Sequence, residues 1–252
     1  MHMNRYKAFI AHLGISATIV GIFLLLTFFV WYPSPLFKVE GTLLPLQILI
    51  AVDIVLGPLL TLVVFKPGKK GLKFDLALIA LVQLSAFIYG ASIIYTERPA
   101  FVAFGVDRFT VVPRAEIKPV YLNKLDTSKI KLNVVGPTWV YAEKPTNPEV
   151  AAQVMFESLE GKPSFDKRPE FYRELGSHIE NNYHKAIDLV KYGEKVKGSK
   201  ALIDAFLAKH SKTPAQLVAY PLSGKHHDMV VVLDRVSKTI LGTIDINPWI
   251  KT

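Results

Sequence analysis

The chain has 252 residues, half of them hydrophobic, with 30 Lys and Arg against 21 Asp and Glu, a net charge of +9, and no cysteine. The missing cysteine excludes disulfides, thiolate metal sites and thiol redox chemistry. The charge does not mark a nucleic-acid binder: no RNA- or DNA-binding motif accompanies it, and residues 97–252 carry 23 basic against 18 acidic side chains, only +5.

Three apolar runs come first, at about 9–32, 43–65 and 74–95. Each exceeds the ~20 residues that carry a helix across ~30 Å of hydrocarbon. The first is too long for the apolar region of a signal peptide and ends in "WYPSP" without a small-x-small cleavage site, so it reads as a retained membrane helix. Arg5 and Lys7 precede it, and Lys66, Lys69, Lys70 and Lys73 crowd the loop between the second and third runs. The loop between the first and second has only Lys38, offset by Glu40. The positive-inside rule then places the N-terminus and the 66–73 loop in the cytoplasm and residue 97 onward outside, which in a bacterium is the periplasm. "KPGKKG" lacks the spacing of a phosphate loop and reads as a cytoplasmic turn whose lysines meet anionic headgroups.

The second run, "ILIAVDIVLGPLLTLVVF", holds an aspartate where a charge is costly. Counted at ~1.5 Å per residue, Thr18, Asp53 and Gln83 each lie ~13–15 Å from a helix end, near the midplane. One polar side chain per helix predicts a cluster in which a neutral Asp53 carboxyl bonds the Gln83 amide, which makes Asp53→Asn a tolerated change. Pro58 removes a backbone donor and is expected to kink the helix, and Gly57 allows close approach. Three roles stay open for the cluster: packing glue, a docking point for another membrane helix, or a proton or ion path.

Past the third run, "PAFVAFGVDRFTVVP" predicts a hairpin and "KIKLNVVGPTWVYAEKP" an extended stretch broken at Gly136-Pro137. "NPEVAAQVMFESLEG" predicts a helix with Asn147 as N-cap, Pro148 in the first turn and Gly161 as stop. Helices are also expected near "PEFYREL", over "HIENNYHKAIDLVKY" with apolar spacing at Ile179, Tyr183, Ile187 and Val190, and over "SKALIDAFLAKH". "AQLVAYPLSG", "HDMVVVLDRVS" and "TILGTIDINPW" predict a C-terminal antiparallel meander turning at "SGKHH" and "RVSK". The predicted protein is therefore a membrane protein, residues 1–96 forming three transmembrane α-helices and residues 97–252 an α+β extracytoplasmic domain.

Signals for chemistry are weak. His226 and His227 point to opposite faces if extended and lack a third ligand, so they read as a polar turn, and His178 and His184, six apart, read as surface residues. No G-x-S-x-G, H-E-x-x-H or P-loop motif occurs, so no catalytic residue, metal or cofactor is predicted.

"WYPSPLF", "DIVLGPLLTLVVF", "KPGKKGLKFDLALIALVQLSAFIYG" and "ERPAFVAFGVDRFTVV" follow in close order. Over about residues 9–112 the chain resembles the type IV pilin accessory proteins of the TfpX/TfpZ type. That resemblance implies a non-enzymatic inner-membrane protein that works with type IV pilin in pilus assembly. It singles out Asp53, Gly57, Pro58 and Gln83 in the membrane and Arg98, Asp107, Arg108 and Phe109 just outside it. The expected partners are pilin and the lipid bilayer, with no nucleic acid. An enzyme acting on pilin or envelope glycan, with acidic residues of the outer domain as catalysts, and a sensor coupled to the helices remain alternatives.

Overall fold

Asn4 opens the first helix, its side chain accepting from the Lys7 backbone N–H at 2.9 Å. In the computed structural model, which describes residues 3–130 and 132–250, this helix, α1 (Arg5–Trp31), is followed by α2 (Leu43–Val64) and α3 (Leu72–Thr96), all three long and apolar enough to cross a membrane. Pro33 and Pro67 lie just past the ends of the first two, and Gly71, at φ 84°, starts the third. The described chain divides into two compact units: residues up to Phe37 with Gly41–Arg98, and Lys38–Glu40 with the chain from Pro99 on.

In the first unit α1 and α3 both pack on α2 rather than broadly on each other. Their shared core is Val20, Phe23, Tyr32, Leu46, Leu49 and Ile94. The Phe23 ring meets Trp31 and Phe87 edge-on at 5.7 and 5.3 Å, and the Tyr32 hydroxyl donates to the Ile94 carbonyl at 2.8 Å, taking up an acceptor near the end of α3.

In the second unit, β1 (Pro99–Gly105) and β2 (Arg108–Pro113) form the expected hairpin. β3 (Thr138–Ala142), helix α4 (Pro148–Leu159) and β4 (Tyr172–Glu174) follow, then α5 (Leu189–Lys195) and α6 (Ser199–His210), then β5 (Leu217–Ser223), β6 (Met229–Asp234) and β7 (Ile240–Ile244). The strands make one mixed sheet in the order β4-β3-β1-β2-β5-β6-β7. The predicted meander is its β5-β6-β7 end. Parallel pairing of β2 with β5 joins it to the hairpin, and parallel pairing of β1 with β3 joins the hairpin to β3 and β4. Leu217, Ala219, Val230, Val232 and Ile244 pack on Leu189 and Tyr192 of α5 and Ile203 and Phe206 of α6. At the other end Phe101, Ala103, Val112, Val140 and Tyr172 gather Ile117, Leu125 and Ile130 from the β2–β3 connection.

Two helical expectations fail in this unit. "PEFYREL" forms a tight 3₁₀ turn at Pro169–Phe171 and then strand β4, because Tyr172 and Glu174 pair with Ala142 and Val140. "HIENNYHKAIDLVKY" is not one helix. It runs as a 3₁₀ segment over Ile179–Lys185, the Ile187 N–H leaves to donate to Ala219 in the sheet at 2.8 Å, and Asp188 caps α5 afresh through the amides of Val190 and Lys191. The extended stretch predicted from Lys129 yields only β3, and its Lys131 lies outside the described residues. Asn147, by contrast, caps α4 as expected, accepting from Glu149 and Val150.

Asp234 closes the β6–β7 turn. Its carboxylate accepts from the amides of Val236 and Ser237 at 2.9 and 2.8 Å and pairs with Lys212 at 2.7 Å, and these hydrogen bonds, Lys212 first, hold its pKa well below the ordinary 3.8. A carboxylate with a depressed folded pKa contributes stability that is complete above the unfolded value and is lost as pH falls through the folded one. The stability gap between the wild type and Asp234→Asn, followed by tryptophan fluorescence of the detergent-solubilised chain, is therefore expected to be flat above about pH 5 and to close in stronger acid. A gap that widens on acidification contradicts this assignment.

Candidate functional site

Asp53 lies inside a π-helical stretch, Ala51–Leu56, in the middle of α2. In that stretch the hydrogen-bond register is i to i+5, and the Gly57 N–H accordingly donates to Val52. The next donor in the series is residue 58, which is proline and has none. The carbonyl it leaves vacant is that of Asp53, and Gln83 of α3 fills the vacancy: its Nε2 donates to Asp53 O at 3.2 Å. Gly57 makes this reach possible. A Cβ on residue 57 would stand 1.8 Å from Gln83 Nε2. Asp53, Gly57, Pro58 and Gln83 are thus one device: a change of helical register, a missing donor, a side-chain replacement and the space for it.

The amide bonds the backbone carbonyl of Asp53 at 3.2 Å, in addition to lying beside the Asp53 carboxyl as expected. The physical reason for the backbone bond is the vacant carbonyl, which must find a donor in hydrocarbon. Asp53 Oδ2 and Gln83 Oε1 are left with no hydrogen-bond partner among the described residues, although the two side chains are only 6% and 8% exposed.

Thr18 is not part of the cluster. It is exposed, and its hydroxyl donates to the Gly14 carbonyl of its own helix at 2.8 Å. The groups that α1 does bring are His12 and Ser16, one helical turn apart on the face toward α2. Thr18 lies two residues beyond Ser16, about 200° further round the helix. The His12 Nδ1 and Thr61 Oγ1 are hydrogen-bonded at 2.6 Å, tying α1 to α2. These three residues escaped the depth argument, which ranked polar groups by height and ignored which way they face. A cavity of about 250 Å³ opens here, walled by Ile15 and Ile19 of α1 and by Ala80, Leu84 and Phe87 of α3, with His12, Ser16, Asp53 and Gln83 as its polar lining.

Arg98, Asp107, Arg108 and Phe109 each have a local role within their own unit. Arg98 caps α3, donating to the Tyr95 carbonyl at 2.5 Å with its guanidinium 3.7 Å from the centre of the Tyr95 ring. Phe109 is fully buried against Phe104, Trp139 and Tyr220, so it is a core residue. Asp107 and Arg108 pair at 2.8 Å across the tip of the hairpin, and the arginine depresses the Asp107 pKa. Arg108 also lies over the Trp249 ring at 4.6 Å. Between Gly105 and Asp107 the chain makes a tight turn, with Val106 at φ 62° and Asp107 N–H donating to Gly105 O at 2.7 Å.

His227 Nε2 contacts Asp245 Oδ1 at 2.6 Å, and among the described residues no three His, Cys, Asp or Glu side chains are placed to hold a metal. His184 is exposed, whereas His178 is half-buried and stacks on Tyr141. A cavity of about 470 Å³ beside α4 is lined by Lys144, Met155, Ser158, Ser164 and Phe165 among others, with no carboxylate in its wall.

The family model of the fimbrial assembly protein FimB matches residues 2–41. A fimbrial assembly protein of Dichelobacter nodosus, serogroups C1 and C2, is 38% identical over 108 residues, which are 42% of this chain and 82% of that protein. The serogroup I protein of the same organism is 40% identical over 108 residues, 42% of each chain, so this chain matches less than half the length of that longer relative. No solved structure matches. With 82% of one such relative covered at this identity, the chain belongs to the fimbrial assembly protein family.

Proposed function

We infer that this protein is a membrane-embedded fimbrial assembly protein whose helical unit receives the membrane helix of the fimbrial subunit, a type IV pilin, before or during assembly. It acts as a chaperone or assembly modulator rather than an enzyme. The inner membrane holds α1–α3 with the N-terminus in the cytoplasm, and the unit beginning at Pro99 stands in the periplasm, where it reads the head of the same subunit.

The observation that carries this reading is the cleft between α1 and α3. Both helices pack on α2, and the space between them is apolar at its walls and polar at its floor. Helices in a bundle approach to about 8–10 Å, so a fourth helix laid in this cleft makes contacts that lipid tails make poorly. A subunit awaiting assembly has an apolar helix to shelter, and the cleft is a place for one. The family of fimbrial assembly proteins supplies the setting.

The division of labour is tested by exchange. Replacing residues 113–252 with those of a relative that serves a different pilin is expected to lower surface piliation with the original subunit at least tenfold and to restore it with the other. If the exchanged protein keeps its original preference, the outer domain does not read the subunit.

A further inference from the structure

We propose that the midplane cavity recognises a hydrogen-bond donor carried by the subunit's membrane helix, through Asp53 Oδ2 and Gln83 Oε1. This rests on the docking reading above and adds the chemistry by which the helix is chosen. The argument begins with Pro58. Because residue 58 has no N–H, the Asp53 carbonyl needs a donor, and the Gln83 amide nitrogen supplies it at 3.2 Å. That bond fixes which way the amide faces: nitrogen toward the backbone of α2, oxygen away from it. Gly57 leaves no other side chain in the way, since even a methyl group there would overlap the amide.

The oxygen turned away is Gln83 Oε1, and it has no partner among the described residues. Asp53 Oδ2 has none either, and both side chains are more than nine-tenths buried. The two residues line the same cavity of about 250 Å³, and both oxygens are acceptors when the aspartate is ionised. In this ionised form, unlike the neutral one expected from the sequence, neither satisfies the other, so here Asp53→Asn is not a tolerated change. The complement of two acceptors is a donor: an amine, an amide N–H, a hydroxyl or a neutral carboxylic acid on the incoming helix. An ionised carboxylate is refused, being a third acceptor with the wrong charge, and a wholly apolar helix fills the cleft while leaving both oxygens unpaired. The cavity volume suits one side chain, so the cleft reads a single position of its partner. His12 is held by Thr61 at 2.6 Å and sets the inner edge of the space.

The test uses the full chain in bacterial membranes, with a photo-crosslinking residue at Ile19 and the fimbrial subunit of the same strain co-produced. Asp53→Asn is nearly isosteric, and its new Nδ2 is expected to donate to Gln83 Oε1, closing the site from within. Crosslinking to the subunit is expected to fall at least tenfold at equal abundance of the assembly protein. In the second arm each polar residue of the subunit's membrane helix is changed to leucine in turn, and one such change is expected to cause the same loss. This arm leaves the assembly protein unaltered and does not depend on how its variants fold. If Asp53→Asn captures the subunit as the wild type does, or if no leucine change in the subunit matters, donor recognition is wrong while docking stands. If the wild type captures no subunit from Ile19, the docking reading fails and this inference with it.

Discussion

Gly57→Ala is expected to reduce the level of folded protein relative to unfolded chain by roughly tenfold or more, the largest effect among alanine substitutions at Gly14, Gly57 and Gly90. The added Cβ would lie 1.8 Å from Gln83 Nε2, 2.1 Å from Cδ and 2.3 Å from Oε1, so the whole amide must leave. The amide is the far end of a flexible side chain, so moving it relieves the clash cheaply, and the cost lies in what it leaves behind. The amide's departure strands the Asp53 carbonyl ahead of a proline, a buried acceptor that costs about 1–3 kcal/mol when unpaired. Two other glycines set the scale. Alanine at Gly14 meets nothing within 4 Å and is expected to be silent, and at Gly90 it touches Leu49 Cδ1 at 3.3 Å, which asks for a small shift. Thermal aggregation in detergent and steady-state level in cells rank the three. If Gly57→Ala is as stable as Gly14→Ala, the Gln83 bond does not hold the register of α2.

The second large effect is all-or-none and concerns orientation. A reporter that fluoresces only in the cytoplasm is expected to be bright when inserted after Gly68 and dark when fused after Thr252. Lys66, Lys69, Lys70 and Lys73 crowd the α2–α3 connection, where Lys69 meets Asp75 at 2.6 Å, while Arg5 and Lys7 precede α1. Basic side chains near helix ends resist translocation, so this loop and the N-terminus stay together on one side. Three crossings are then expected to put the sheet domain on the other. A bright C-terminal fusion in full-length, folded protein reverses the account of which domain meets the subunit's head.

How much of this was legible in the sequence depends on what each feature consists of. Apolar length gave the three membrane helices, and β-forming runs separated by turn residues gave the hairpin and the meander, because both are local patterns. The parallel joins of β1 with β3 and of β2 with β5 were not legible, since they depend on segments far apart in the chain. "PEFYREL" reads as helix until β3 offers it an edge, and Ile187 leaves its helical register because Ala219 accepts its N–H. In the membrane, Asp53, Gly57, Pro58 and Gln83 stood out as residues. Their joint role did not, because a shift from i+4 to i+5 hydrogen bonding has no sequence signature of its own. Thr18 was a misplaced expectation of a different kind: depth was counted and facing was not, and the one-turn spacing of His12 and Ser16 carried the missing signal.

The claim on which the account turns is that the cleft between α1 and α3 holds a helix of the fimbrial subunit. Photo-crosslinking residues placed one at a time around the bundle, in cells making the subunit at its normal level, test it most directly. Ile19 and Leu84 line the cleft, whereas Val63, 73% exposed, is outside its lining. The account predicts that Ile19 and Leu84 capture the subunit through its membrane helix and that Val63 captures it at least tenfold less. Equal capture from all three positions, or capture from Val63 alone, contradicts it.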